Sequence, residues 1–245
     1  MVTTQFRLSG DDGVGLFEPG DIRPASFSRV PEDLIRQLRG VRGLVSTASD
    51  VLDEAGWQLS VPSSQLSPRH DFAGNVIGHA LTLRYLPSRH LVVYPGSGLE
   101  PPKLAHHVVY RLASRGDVMV IDASATSDTS TMGGIAAATA VTRGLSGVIV
   151  DGGVRDIEEI AQSGLPLWSR YVTPRCGKGR LEAVSVNAPV TVGGVQVVAG
   201  DLVLADRTGV CFVPAEFAPQ LAARLLEVTR NEDADLPAST PPPPA

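Results

Sequence analysis

The sequence is short of residues on which several classes of protein depend. Only two of its 245 residues are lysine, Lys103 and Lys178, and only two are cysteine, Cys176 and Cys211. A lyase that forms a Schiff base needs a lysine amine of depressed pKa, so covalent amine catalysis has few candidates here. The cysteines have no metal-ligand spacing, and we expect reduced thiols and a cytoplasmic location.

Long apolar segments and basic clusters are missing as well. No run of about 18 apolar residues occurs, and the N-terminus lacks a basic region followed by an apolar stretch, so neither a membrane span nor a secretion signal is predicted. The formal net charge is −5, from 26 acidic and 21 basic residues. Because the basic residues form no cluster that could hold a phosphate backbone, nucleic acid is not an expected partner.

The composition that remains is typical of a globular α/β protein. Hydrophobic residues make up 43% of the chain, and 25 residues are glycine. Apolar strand-like segments alternate with helical ones through residues 76–164, and short β segments separated by glycine turns follow. This predicts an α/β fold with a parallel-containing sheet and a β-rich layer. We predict an irregular N-terminal arm (1–30), one domain (31–230) and a mobile Pro-rich tail (231–245).

Hydrophobic periodicity and end signals also predict individual elements. Helices are expected at 31–41, 47–55, 103–114, 133–144, 156–164 and 217–233. Strands are expected at 76–86, 91–96, 118–122, 147–153, 190–197, 201–206 and 209–214.

One candidate site motif is VIVDGGVRD at residues 148–156. An apolar strand is expected to end in a Gly-Gly turn that delivers Arg155 and Asp156 to the edge of the sheet. Open α/β sheets bind ligands outside the carboxyl ends of their strands, where such a turn lies. The alternative is structural: Asp156 only caps the next helix and Arg155 only pairs with a surface acid.

A second candidate motif is Gly133-Gly134-Ile135-Ala136, at the start of an alanine-rich helix. Exposed N–H groups and the helix dipole suit such a position to a carboxylate or phosphate, although a Gly-Gly helix entry is at least as often a packing device. Together the two motifs predict an anion cradle, the Arg155 guanidinium that grips a carboxylate, and the Asp156 carboxylate suited to Mg²⁺ or Mn²⁺.

Other candidates are weaker. The Gly-Ser-Gly at 96–98 has no third glycine opening a helix, so a dinucleotide loop is not predicted. His106 and His107 are adjacent and cannot form an i, i+4 metal pair, so helix-surface or core positions are expected. Three aspartates near the motifs are left outside the predicted site, because turn and strand-end roles explain them equally well: Asp122, Asp128 and Asp151.

The sequence resembles the RraA-like family, which includes 4-hydroxy-4-methyl-2-oxoglutarate aldolases. The resemblance is carried by GDVMVID, TMGGIAAATAVTRGLSGVIVDGGVRD, GLPLW and VQVVAGDLVLADRTGVCFVP. STASDVLDEAG and GNVIGHALTL extend it to residues 46–214. It implies a compact swivelling α/β/β domain, assembled as a homotrimer or homohexamer with active sites between protomers.

The resemblance also implies a function. Arg155 would bind the substrate and act in catalysis, Asp156 would hold the divalent metal, and Gly133, Gly134, Ile135 and Ala136 would form the substrate-binding loop. The reaction implied is retro-aldol cleavage of a small 2-oxo acid, or oxaloacetate decarboxylation, through a pyruvate enolate. The loop position often filled by an acidic residue is Gly134 here, so a lyase with a different, specialised oxo-acid substrate is an alternative.

The same family includes a protein inhibitor of a ribonuclease, so a non-catalytic protein-binding regulator is the alternative function. A methyltransferase is a more distant one, because no convincing glycine-rich nucleotide loop is present.

Overall fold

The computed structural model describes residues 21–89, 104–123 and 128–235. The predicted strand at 91–96, the Gly-Ser-Gly segment and the ends of the predicted arm and tail lie outside the described residues.

Six helices and twelve strands lie within the described ranges. The helices are α1 (Glu32–Arg39), α2 (Leu44–Glu54), α3 (His106–Leu112), α4 (Gly134–Thr142), α5 (Ile157–Ser163) and α6 (Ala218–Asp235). The first six strands are β1 (Ser60–Pro62), β2 (Ser67–Pro68), β3 (Val76–Pro87), β4 (Val118–Asp122), β5 (Ser130–Met132) and β6 (Gly147–Val154). The others are β7 (Leu167–Val172), β8 (Leu181–Val186), β9 (Val190–Val192), β10 (Val195–Val197), β11 (Leu202–Ala205) and β12 (Gly209–Val213).

The helix predicted from Thr47 begins three residues earlier, at Leu44. Gly43 precedes it with a φ of 57°, a left-handed conformation that glycine adopts without a steric penalty. Leu44 and Val45 are buried, so the apolar face of the helix extends further back than its sequence periodicity indicated.

The predicted α/β fold is confirmed. Strands β3, β4, β6 and β7 are parallel neighbours in a ten-stranded sheet. The later β segments join this sheet through β3: its first residues pair with antiparallel β11, and its next residues pair with parallel β4. Strand β12 then pairs with β11, and β1 with β12. The hairpin of β9 and β10 forms a separate two-stranded sheet.

The sheet is covered on both faces. Along β4, Met119 and Ile121 pack in the apolar cluster that includes residues of α3, α4 and α5. Val118 and Val120 pack in a cluster that includes residues of the β9–β10 hairpin. Double burial explains why β4 is apolar at consecutive positions. Residues of α1, α2 and α6 form a third cluster with residues of β11 and β12.

The Gly-Gly turn predicted at the end of β6 is wrong, because the strand continues through both glycines to Val154. A Cβ added at Gly152 would lie 2.7 Å from the Cβ of Ala123, and one added at Gly153 would lie 2.6 Å from the carbonyl oxygen of Thr129. The glycines therefore allow neighbouring chain segments to approach β6 closely.

The described part of the N-terminal arm lies against the domain. Arg23 N–H donates to the carbonyl of Val186 at 3.0 Å, and the Arg29 guanidinium donates two bonds, 2.6 and 3.0 Å long, to the buried Asp117 carboxylate. At the other end, α6 reaches Asp235, five residues into the predicted tail. No helix in the described ranges, α6 included, is long and apolar enough to cross a membrane.

Candidate active site

The fold brings the two candidate motifs to the same edge of the sheet. Strand β5 runs parallel to the end of β6, with Met132 opposite Val154, and Arg155 N–H donates to the carbonyl of Met132 at 3.0 Å. Gly133 follows β5 and Arg155 follows β6. The candidate residues therefore leave two neighbouring parallel strands at their carboxyl ends, where open α/β sheets bind ligands.

The Arg155 and Asp156 side chains lie directly on Gly133. A Cβ at that position would overlap Oδ2 of Asp156 and lie 3.1 Å from Cγ of Arg155. Oδ2 of Asp156 also accepts the N–H of Gly134 at 3.3 Å and lies 3.3 Å from Nε of Arg155. The Asp156 carboxylate therefore faces the N-terminus of α4, where the helix dipole favours negative charge.

The backbone of Asp156 has a left-handed conformation, with φ 56° and ψ 50°. This conformation costs a non-glycine residue about 1–3 kcal/mol, and such residues concentrate at functional sites. Asp156 occupies the N-cap position of α5 but makes no side-chain cap hydrogen bond. The hypothesis that it serves only as that cap is therefore wrong, because its carboxylate contacts α4.

Glu159 fills the space beside Gly134. A Cβ at Gly134 would overlap Oε2 of Glu159 and lie 2.5 Å from its Cβ and 2.8 Å from its Cδ. The absence of a side chain at position 134 thus has a steric cause. Glu159 lies in the first turn of α5 and is not among the site residues predicted from the sequence. Its relation to Gly134 depends on packing between two helices and leaves no local pattern, apart from its i+3 spacing from Asp156.

The next two loop residues face in different directions. The Ile135 side chain is 85% exposed, whereas Ala136 is partly buried and packs on the core. The Tyr110 hydroxyl donates to the carbonyl of Ala136 at 2.8 Å. Burial raises the pKa of Tyr110, which keeps this hydroxyl protonated as a donor. The Tyr110 hydroxyl therefore holds the first turn of α4 on its core side, and the Ile135 side chain lies on the solvent side.

The α4 N-terminus also leaves backbone donors outside the helical ladder. The first helical bond of α4 joins Ala137 N–H to the carbonyl of Gly133. The N–H groups of Gly134, Ile135 and Ala136 thus precede the ladder, and that of Gly134 donates to Asp156. This arrangement suits an anion next to the Arg155 guanidinium, whose side chain is 40% exposed.

Two of the aspartates outside the predicted site have structural partners. Asp151 lies with Oδ1 2.5 Å from Nε of Arg170, and its Oδ2 accepts the N–H of Gly193 at 2.7 Å. Asp122 accepts the N–H of Thr191 at 3.3 Å. Both carboxylates hold the β9–β10 hairpin against the sheet.

The remaining weak candidates lie in ordinary surroundings. Asp128 forms an exposed ion pair with Arg175. His106 is a core residue, as expected, and burial lowers its pKa to about 4. Within the described ranges, no three His, Cys, Asp or Glu side chains converge as a metal site. A metal ion at the candidate site would therefore have few ligands from the described residues.

Most of the chain matches a known protein family. The family model described as RraA-like, Aldolase/RraA, matches residues 45–212. The chain belongs to the RraA-like family. The match agrees closely with the region, 46–214, over which the sequence motifs resemble that family.

Three proteins of known sequence or structure are similar to this chain. The chain is 33% identical over 188 residues to a Halalkalibacterium halodurans protein provisionally named as a 4-hydroxy-4-methyl-2-oxoglutarate aldolase, covering 77% of this chain and 80% of that protein. It is 26% identical over 190 residues to Protein DlpA of Legionella pneumophila, covering 76% of this chain and only 28% of that protein. The crystal structure of Streptomyces coelicolor RraAS2, described as an unusual member of the RNase ES inhibitor RraA family, matches with a TM-score of 0.69 and 28% identity, over 86% of this chain and 98% of that one.

Proposed function

We propose that this RraA-like protein is a divalent-metal-dependent lyase that cleaves a small 2-oxo acid through a pyruvate enolate. The cleavage is of the 4-hydroxy-4-methyl-2-oxoglutarate type, with oxaloacetate decarboxylation as the related reaction. The observation that carries the proposal is the Asp156 carboxylate, which lies in a left-handed conformation beside the Arg155 guanidinium and the N-terminus of α4. The aldolase name of the Halalkalibacterium halodurans relative supports the same reaction class.

Arg155 has the position and chemistry to bind the substrate. Its guanidinium can donate two parallel bonds to a carboxylate, or to the carboxylate and 2-oxo oxygens together. Its fixed positive charge stabilises the negative charge that develops on the enolate oxygen. The N–H groups of Ile135 and Ala136, outside the helical ladder of α4, add further donors for an anion.

Asp156 fits the metal role by its donor chemistry and by the charge around it. The Asp156 carboxylate lies 3.3 Å from Nε of Arg155 and offsets its charge, so a dianionic substrate needs additional positive charge at this position. Mg²⁺ is often held by one or two carboxylates, with water and substrate oxygens completing its coordination. A bound Mg²⁺ or Mn²⁺ would supply Lewis acidity toward the 2-oxo group.

The proposal is tested by pyruvate release from 4-hydroxy-4-methyl-2-oxoglutarate and from oxaloacetate, with Mg²⁺ and with chelator. Asp156→Asn keeps the size of the side chain but weakens cation binding, and Arg155→Lys removes the planar fork but keeps the charge. We expect about a 100-fold loss of kcat/KM in each variant, on the scale of one lost charge-stabilising group. Binding of Mn²⁺, followed by its electron paramagnetic resonance signal, should weaken in Asp156→Asn.

The exposed ion pair between Arg207 and Asp71, 2.9 Å long, provides matched controls. Arg207→Lys and Asp71→Asn make the same chemical changes away from the site and should leave both reactions unchanged. Wild-type protein that binds no Mn²⁺ and releases no pyruvate from either substrate would refute the proposal. That result would favour the alternative, a protein-binding regulator of the ribonuclease-inhibitor type. We also propose that the protein assembles as a homotrimer or homohexamer, and light scattering would measure the mass of that assembly.

A further inference from the structure

We infer that Glu159 is the general base that accepts the proton of the 4-hydroxyl group during carbon–carbon cleavage. The inference rests on the proposed function and adds a catalytic group to it. Three features of the structure lead to it: the position of Glu159, the absence of a hydrogen-bond or ion-pair partner for it among the described residues, and its anchored backbone.

The position of Glu159 is set by direct contact with the candidate loop. Its carboxylate occupies the space that a side chain at Gly134 would take. Gly134 N–H donates to Asp156, so both carboxylates lie against the same residue at the start of α4. Arg155 contacts Gly133, the preceding residue, so a substrate bound by Arg155 would lie one loop residue away from the Glu159 carboxylate.

The Glu159 carboxylate is also accessible to accept a proton from a bound substrate. Its side chain is exposed, and among the described residues it makes no hydrogen bond or ion pair. Asp156, in contrast, accepts a backbone N–H and pairs with Arg155. A carboxylate without a partner can take up a proton without first breaking another interaction, which suits a general base.

The backbone that carries Glu159 is held in place. Glu159 lies in the first turn of α5, three residues after its N-cap, Asp156. Ile160, the next residue, is fully buried in the core, and its N–H donates to the carbonyl of Asp156 at 3.0 Å. The backbone at residue 159 is therefore anchored in the core, next to Asp156 and against Gly134.

Cleavage of the hydroxy acid and decarboxylation of oxaloacetate differ in their need for a general base. In the cleavage, Glu159 takes the proton from the 4-hydroxyl, the C4–O bond becomes a carbonyl, and the C3–C4 bond breaks. Its electron pair forms the pyruvate enolate, which takes a proton at C3 from water to give pyruvate, while Glu159 returns its proton to the solvent. Decarboxylation of oxaloacetate reaches the same enolate by loss of CO₂. That reaction has no hydroxyl proton to remove and needs no general base at C4.

The experiment compares both reactions in Glu159→Gln, which keeps the shape of the side chain but cannot accept the proton. We expect kcat for the hydroxy acid to fall about 100-fold or more, the typical contribution of a general base. Oxaloacetate decarboxylation should stay within about threefold of wild type, because it does not use that proton transfer.

Glu158→Gln is the matched control, since Glu158 is also exposed and precedes Glu159 in the first turn of α5. It should leave both reactions unchanged. Mn²⁺ binding and the melting temperature of Glu159→Gln should match wild type, which separates a chemical effect from a structural one.

Equal losses in both reactions, or unchanged cleavage, would overturn the assignment of Glu159. Wild-type protein active only on oxaloacetate would also overturn it while leaving the enolate chemistry standing. Wild-type protein inactive on both substrates would overturn the proposed function, and the inference with it.

Discussion

Replacement of Gly134 by alanine tests whether Glu159 packs on this glycine. The added methyl group would lie 2.5 Å from Cβ of Glu159 and 2.8 Å from its Cδ, and would overlap Oε2. Comfortable carbon–carbon contacts need about 3.5–4.0 Å. Rotation of the Glu159 side chain can move its carboxylate but not its Cβ, so α4 and α5 would have to separate by about 1 Å to restore that contact distance.

Overpacking of this kind typically costs about 1–3 kcal/mol. The higher helix propensity of alanine offsets up to about 1 kcal/mol of this cost. We therefore expect Gly134→Ala to lower the free energy of unfolding by about 1–2 kcal/mol. For a chain of this size, that corresponds to about 2–8 °C in melting temperature. Cleavage activity should fall as well, because the same shift moves Asp156 and Glu159 relative to the loop.

Denaturant unfolding and thermal melting provide the measurement. Gly40→Ala is the control, since Gly40 has a φ of −82° and its added Cβ would come no closer than 3.6 Å to the Gln37 carbonyl oxygen. In a Glu159→Gly background, the cost of Gly134→Ala should largely disappear, whereas Glu159→Ala should relieve it only in part, because it retains Cβ. A Gly134→Ala protein as stable as wild type, or a cost independent of residue 159, would refute the packing argument.

Two further predictions concern stability away from the site. Arg29→Ala removes the two hydrogen bonds that Arg29 donates to the fully buried Asp117 carboxylate. It should lower the free energy of unfolding by about 2–3 kcal/mol, less than for a fully buried pair, because Arg29 is partly exposed. Arg207→Ala, in an exposed pair, should change stability by less than about 0.5 kcal/mol in the same denaturant titration; equal costs would contradict this reasoning. Burial raises the pKa of Asp201 to about 6, so its ionised form is unfavourable in the folded state and the native protein loses stability as the pH rises from about 4 through 6. Asp201→Asn should therefore be stabilised relative to wild type above pH 6, with the difference vanishing near pH 4; a difference independent of pH would count against the raised pKa.

Much of the fold follows from local patterns in the sequence. The apolar segment at 118–122 predicts β4 correctly because a strand buried on both faces needs apolar residues at every position. The convergence of the two candidate motifs also follows, since the carboxyl ends of parallel strands share one edge of a sheet. The function assigned to those residues remains a prediction.

Glycine marks the limit of this reasoning. Gly152 and Gly153 suggested a turn, yet they lie inside β6, where neighbouring segments approach too closely for a Cβ. The same residue type serves turns and close contacts, and only the packed structure distinguishes them. Gly134 presents the same difficulty, because the side chain that excludes a Cβ there comes from a helix about 25 residues further along the chain.

Gly134 and Glu159 are thus two parts of one structural feature. With Glu159 packed on position 134, that loop residue has no room for a side chain of its own, and the carboxylate beside Asp156 comes from α5 instead. The guanidinium and both carboxylates of the candidate site then lie within five consecutive residues, 155–159, anchored by the buried Ile160. A small displacement of α5 would move all three groups together relative to the α4 N-terminus. Substrate preference in this protein should therefore depend on the α4–α5 contact as well as on the residues that touch the substrate.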